Sequence, residues 1–215
     1  VGIDIGNNCV NVTLDDVINS SSIKMLNYDR GGDDGYSILS AFHKSLRGSD
    51  ADAAIHYLAR LIKAGDLQSI TRRLLCVASE DVGLAVPQAI TITEACVSAA
   101  LQLGLPEARI PLAQATVYLA QCPKSNSVAN AIDMALYDLD NIETGDIPLH
   151  LKDAHYASAK KLGRGVDYLY PHDFENHYVK QQYLPDAIKN KKYYIHGKNK
   201  NESAFKNYWD VIKNK

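Results

Sequence analysis

Four features are scarce or missing in this chain, and each absence narrows what it can be. Cysteine is one: the 215 residues hold only Cys9, Cys76, Cys96 and Cys122, far apart and without a C-x-x-C pair. That spacing offers neither a disulfide framework nor a zinc clip. Cys76, Cys96 and Cys122 sit in apolar, helix-like stretches and read as small buried thiols of a reducing cytosol. Long apolar runs are a second absence. None approaches the roughly 18–20 residues that cross a bilayer, so no membrane partner is expected and the expected location is cytoplasmic. A charge excess is a third: the net charge of −2 gives no global signature of nucleic-acid binding. The fourth is a phosphate loop. No G-x-x-x-x-G-K-[ST] run occurs, and no apolar strand ends in paired acids that could hold magnesium. Gly2-x-x-x-Gly6 lacks the Lys and Ser/Thr such a loop needs. No catalytic residue, cofactor site or metal site is therefore assigned, and the chain itself is not read as an enzyme. The N-terminus, Val1-Gly2-Ile3-Asp4, has neither Met nor a basic leader; it reads as a piece of a longer chain rather than a signal peptide.

What is present is an ordinary globular composition, 46% hydrophobic and 22% charged, enough to bury a core. Residues 1–33 are polar and glycine-rich, with one periodic stretch from Val12 to Met25. Residues 34–140 carry helical periodicity. Residues 141–196 are rich in Tyr, His, Gly and Pro without a sustained period, and 197–215 form a short amphipathic tail. Six helices are predicted in the body. The first runs from Tyr36 to Arg47 and stops at Gly48. Ser49 or Asp50 caps the second, where Ile55, Leu58, Ala59 and Ile62 recur at i, i+3, i+4 and i+7. The third spans Leu67 to Ser79, with Ile70, Leu74 and Val77 inward. Pro87 suits the first turn of a fourth that stops at Gly104, and Pro106 opens a fifth. The sixth follows Pro123, with Val128, Ile132, Ala135, Leu136 and Leu139 on one side. Short connections favour antiparallel neighbours, hence an all-α fold of stacked helical hairpins with an irregular C-terminal extension. Alanines such as Ala99, Ala113, Ala120 and Ala131 let helix axes approach, either within a tight bundle or between subunits.

Ser40, His43 and Arg47 fall on one side of the first helix and, with Lys44 and Asp50, are candidate polar contacts within a subunit or across a subunit boundary. His43-Lys44-Ser45 is not a nucleophile–base unit, because helix neighbours differ by about 100°. Glu80 and Asp81 close the third helix, where the dipole disfavours negative charge. Arg72 and Arg73, about two turns earlier, offer an intrachain ion pair; an interface contact is the alternative. Lys124-Ser125-Asn126-Ser127 precedes the sixth helix; without a glycine-rich approach, N-capping is expected there rather than phosphate binding. His172-Asp173 invites comparison with metal-dependent HD phosphohydrolases. The further His and Asp of that chemistry have no counterpart at suitable places, so a loop packed by aromatic rings, its imidazole bonded to backbone, is expected. In the tail, Phe205, Tyr208, Trp209 and Ile212 repeat at helical spacing, with Asn201 or Ser203 as cap, and a helix so short must dock to persist. From Ala187 onward eight lysines face only Glu202 and Asp210. Lys189, Lys191, Lys192, Lys198 and Lys200, interleaved with Tyr193 and Tyr194, are candidate DNA contacts, or else a solvated run that needs no partner.

Longer runs are too specific for generic helix. Ser40-Ala41-Phe42-His43-Lys44-Ser45-Leu46-Arg47-Gly48-Ser49-Asp50 and Ala78-Ser79-Glu80-Asp81-Val82-Gly83-Leu84-Ala85 come first. Arg109-Ile110-Pro111-Leu112-Ala113-Gln114-Ala115, Ala120-Gln121-Cys122-Pro123-Lys124-Ser125-Asn126-Ser127 and Tyr170-Pro171-His172-Asp173 follow in order. Together they resemble the C-terminal half of the RarA/MgsA (replication-associated recombination protein A) family of AAA+ ATPases, related to the eukaryotic Werner-helicase-interacting protein. The resemblance covers roughly Val12 to Glu202. It implies a clamp-loader-like oligomerisation domain behind an AAA+ core that binds ATP and magnesium and acts on DNA at stalled forks. It implies a homotetramer, with DNA and single-stranded-DNA-binding protein as the parent's partners. On this reading 1–33 are a remnant of the AAA+ lid and linker, 34–140 the oligomerisation domain, and 141–215 the extension with its tail helix. Glu80, Asp81, Lys124 and Asn126 then join the residues on the first helix as candidate assembly or structural contacts. Two positions depart from the family pattern: Gly35 replaces a histidine before the tyrosine, and Ile195-His196 replace a proline after Tyr193-Tyr194. Local roles there are not carried over.

Overall fold

The structure, a computed structural model, describes residues 2–4, 9–11, 33–153 and 164–214. The periodic stretch at Val12–Met25, and the lid remnant assigned to it, lie outside the described residues. Near the N-terminus, β1 (Gly2–Asp4) and β2 (Cys9–Asn11) pair antiparallel, Gly2 opposite Asn11 and Asp4 opposite Cys9. The other regular elements among the described residues are helical, and the body is all-α as the periodicity predicts.

The helices are α1 (Asp33–Arg47), α2 (Ala51–Lys63), α3 (Leu67–Val77), α4 (Ala89–Leu103), α5 (Arg109–Gln121), α6 (Ser127–Asn141) and α7 (Lys200–Lys213). Asp50 caps α2 by accepting the Ala53 N–H at 2.9 Å, and Asp66 caps α3 through Ser69 N–H at 3.2 Å. Each satisfies a donor the helix cannot. Pro87 and Pro106 lie ahead of α4 and α5 rather than in their first turns. Turn bonds, Ala89 N–H to Val86 O and Arg109 N–H to Pro106 O, carry the chain through those prolines before each helix begins.

Helices α1 to α5 enclose the core. Phe42 and Leu46 of α1, Leu61 of α2, Ile70 and Leu74 of α3, and Leu112 and Leu119 of α5 are fully buried. Helix α5 is central and packs against α1, α2, α3 and α4. Ala115 and Ala120, both fully buried, keep its surface low enough for that crowding, which favours the bundle role for these alanines. Its buried Thr116 hydroxyl donates to Leu112 O at 2.8 Å, which satisfies that group.

Between α3 and α4 the chain makes a wide π-turn, Ala78–Val82, and a 3-10 turn, Gly83–Ala85. Gly83 has φ +46°, and a Cβ there would stand 2.8 Å from Ser125 O. Only glycine permits both that conformation and that approach. Helix α6 departs from the stacked-hairpin expectation. It rests chiefly on these two turns, not on another helix. The extension beyond it is irregular, as predicted, with single 3-10 turns at Leu149–Leu151, Pro171–Asp173, Glu175–His177 and Asp186–Ile188.

Candidate functional site

The polar side of α1 meets the π-turn in a compact knot. Asp81, buried on that turn, accepts from Arg47 Nε and lies 2.9 Å from His43 Nε2. Arg47 also donates from Nη2 to Glu80 at 2.6 Å. Arg73 Nη1 lies 2.9 Å from His43 Nδ1. Arg47 Nη2 also lies 2.8 Å from His43 Nε2, so each ring nitrogen faces a guanidinium donor and Nε2 is shared between Arg47 and Asp81. The imidazole thus joins a cation on α3 to a buried carboxylate. Hydrogen bonding to Asp81 raises the Arg47 pKa. Burial, reinforced by Glu80, raises that of the Cys76 thiol, whose Sγ donates to Glu80 at 3.1 Å. A thiol held protonated in this way is a poor nucleophile.

His43, Glu80 and Asp81 are the only group among the described residues with three metal-type ligand atoms within 4.8 Å of one another. Arg47 and Arg73 already engage those atoms, so guanidinium supplies the positive charge a cation would. The ion pair expected from Arg72 and Arg73 is corrected here. Arg47, from another helix, holds both carboxylates; Arg73 holds His43, and Arg72 is exposed. Ser40 is half-buried on the same side of α1 and Lys44 is exposed.

A second cluster fastens the C-terminal extension to the body. Glu202, on the first turn of α7, is fully buried. Its carboxylate accepts Ser125 Oγ and Ser127 Oγ, each at 2.5 Å, Tyr194 Oη at 2.9 Å, Gly197 N–H at 3.0 Å, and Asn199 Nδ2. Burial alone would raise its pKa. The donors, Ser125 first, outweigh that and bring it down to about 2. Gly197 is required by space, since a Cβ would meet Glu202 Oε2 at 2.5 Å. Beside Glu202 in the same turn, Asn201 Nδ2 donates to Ala85 O at 2.8 Å. Near the far end of α6, buried Asp138 accepts Lys191 Nζ at 2.8 Å and Tyr193 Oη at 2.9 Å. Two buried carboxylates, one on each partner, therefore clasp the extension and body together.

This corrects the capping expectation for residues 124–127. Asn126 sits at the α6 N-cap without a side-chain cap bond, while Ser125 and Ser127 are turned to Glu202. Lys124 instead closes α5, donating to Leu119 O, Ala120 O and Cys122 O at 2.6–3.2 Å, and to Ser49 Oγ at 2.9 Å. Those carbonyls are the ones a helix end leaves free. Burial lowers the Lys124 pKa. The tail cap is Asn199, which accepts Glu202 N–H at 3.0 Å, not Asn201 or Ser203. Of the lysines named for DNA, Lys191 is committed to Asp138, while Lys189, Lys192, Lys198 and Lys200 are exposed. His172 and Asp173 lie on an exposed turn. There the His172 ring neighbours Tyr170 at 5.1 Å and His177 at 4.9 Å, the aromatic surroundings expected, but the expected bond from its imidazole to backbone is absent among the described residues.

An open apolar stripe completes the picture. Val128, Ile132, Leu136 and Leu139 of α6 are 41–64% exposed.

Residues 48–213 match a family described as MgsA AAA+ ATPase C terminal. The chain is 53% identical over 204 residues to a replication-associated recombination protein A of Bacillus subtilis, covering 94% of this chain and 48% of that protein. It is 42% identical over 170 residues to the protein of the same name in Escherichia coli K12, covering 78% and 38% respectively. With the ATPase WRNIP1 of Dictyostelium discoideum it shares 40% over 169 residues, 78% of this chain and 19% of that one. The chain thus spans less than half the length of these relatives.

Proposed function

Because this chain belongs to the MgsA AAA+ ATPase C-terminal family, we propose that it is the assembly region of a DNA-acting AAA+ ATPase working in replication and recombination. It holds sister subunits in a homotetramer, while the ATP-hydrolysing core lies in a separate part of the parent protein. Residues 34–140 serve as the oligomerisation domain and 141–215 as an extension that helps engage DNA. Single-stranded-DNA-binding protein is a further partner of the parent on this reading.

The observation that carries assembly is the stripe on α6. An amphipathic helix normally turns its apolar side to the core, yet Val128, Ile132, Leu136 and Leu139 face solvent. Covering what remains exposed is worth roughly 1 kcal/mol per side chain, about half the full-burial value. Four such residues on each of two facing copies make a favourable contact between equivalent surfaces. Light scattering coupled to size exclusion tests this. The intact chain is expected to run as a multiple of 23.7 kDa, and Ile132→Glu with Leu136→Glu to reduce that mass without loss of helical signal. A wild-type particle of one subunit's mass at every concentration refutes assembly by this region alone.

A further inference from the structure

The tail helix is fastened at its start and open along the rest of its length. Glu202 and Asn201 tie the first turn of α7 to the body, but Phe205, Tyr208 and Trp209 remain 45%, 58% and 37% exposed. Trp209 is the sole tryptophan of the chain. Its ring meets Tyr208 edge-on at 5.2 Å and Tyr178 at 6.0 Å between centres. Lys213 Nζ stands 5.3 Å from the centre of the Trp209 ring and 5.8 Å from that of Tyr178. Several π faces and an ammonium group therefore share one open surface.

The charge along the tail helix is mainly positive. On α7, Glu202 is buried beneath its donors and Asp210 is engaged by Lys206. Lys200 and Lys213 are exposed, and Asp210 also feels the charge of Lys213. The neighbouring ring set, Tyr170, His172 and His177, has Asp173 and Glu175 exposed beside it, so the cationic end of the aromatic surface is at α7. Along the helix the rings are flanked by Lys206, Asn207, Lys213 and Asn214 as well as by exposed Phe205 and Val211.

We infer that Tyr208 and Trp209, backed by Tyr178 and flanked by Lys213, form a stacking platform for the unpaired bases of a single-stranded nucleic acid. The inference deepens the DNA engagement proposed above and rests on that part of the reading, not on tetramer formation. A flat, half-exposed ring is covered most completely by another flat ring, and every base offers one, so such a surface is tolerant of sequence. Lys213, whose ammonium lies over the Trp209 and Tyr178 rings on one side, meets the phosphate of a base stacked on the ring surface left open. Bases within a duplex are already stacked, which leaves unpaired strand as the fitting form. The extension is thereby given a binding role independent of the lysines at 189–200.

The lone tryptophan makes the test direct. Titrating the full chain with an oligothymidylate is expected to quench Trp209 fluorescence. An abasic strand of equal length, which keeps the phosphates and lacks the bases, is expected to leave it nearly unchanged. In anisotropy with labelled oligothymidylate, Trp209→Leu or Tyr208→Leu should weaken binding roughly tenfold. Trp209→Phe should restore most of it, and Lys213→Gln should flatten the salt dependence by about one phosphate contact. Equal quenching by the abasic strand, no response to oligothymidylate, or quenching by a peptide ligand alone would each overturn the platform. The oligomeric mass of Trp209→Leu is measured alongside. An unchanged assembly with lost binding places the fault in the platform only, and a monomeric wild type that still quenches leaves the platform standing while assembly falls.

Discussion

Replacing Glu202 by glutamine keeps the shape of the side chain and removes the charge, which isolates what the buried carboxylate does. Its two oxygens receive five donors: Ser125 and Asn199 on Oε2, and Ser127, Tyr194 and Gly197 on Oε1. Glutamine has one acceptor oxygen, so one set must face an NH2 group. If the NH2 replaces Oε2, Asn199 cannot relieve the conflict by flipping, because its Oδ1 already caps Glu202 N–H. If it replaces Oε1, the Gly197 N–H has no rotor with which to turn away. A lost charge-assisted bond is worth about 1.5–3 kcal/mol, and a stranded donor adds to it. A net cost of about 2–3 kcal/mol is expected, borne by attachment of the tail. The body core contains no part of this cluster, so the loss should be local. Hydrogen exchange read by mass spectrometry is the assay. Amides of α7 should exchange roughly 30- to 150-fold faster in Glu202→Gln, while those of α2 and α5 keep their wild-type protection. Unchanged exchange in α7 would show that the clasp does not hold the tail.

Acid should act on the same clasp. The folded pKa of Glu202, about 2, lies below its ordinary value of 4.5, so its contribution is complete above pH 4.5 and fades as pH falls toward 2. Trp209 emission is expected to shift across that window in wild type and to lose the step in Glu202→Gln; identical profiles would reject the assignment. Arg47→Met leaves buried Asp81 with His43 alone. A destabilisation of about 2–3 kcal/mol in urea titration is expected, less than for a fully buried pair because Arg47 is half-exposed, and a change under 0.5 kcal/mol would contradict it. Gly83→Ala must place a Cβ against Ser125 O at positive φ and should cost more than about 1 kcal/mol. A neutral or stabilising result would mean the two turns do not meet as described.

How much of this was legible in the sequence depends on how local each signal is. The Asp50 cap and the shared face of His43 and Arg47 follow from spacing within a few residues, and the structure has both. Their partner Asp81 is 34 and 38 residues away, on a π-turn that no periodicity announces. Arg72 and Arg73 lay nearer in sequence, but adjacent helix positions diverge by about 100° and only Arg73 turns inward. Glu202 looked like one surface acid in a lysine-rich tail. The spacing Asn199-x-x-Glu202 is a capping signature that could have revealed the α7 start, yet nothing nearby points to Ser125 and Ser127, 77 and 75 residues upstream. The stripes on α6 and α7 were visible as patterns. Periodicity reports that a helix has an apolar side and is silent on whether that side meets its own chain.

Residues 78–85 work as a bracket with hardware on several sides. The Asp81 carboxylate grips α1, its backbone carbonyl receives the Ser125 N–H at 2.7 Å, and Ala85 O receives Asn201 of the tail. Because Ser125 also grips Glu202, a turn of only eight residues ties the first helix of the body to the last helix of the chain. A displacement of α1 that drags the bracket must therefore tug on both moorings of α7, so the outermost element of the molecule is geared to one of its innermost joints.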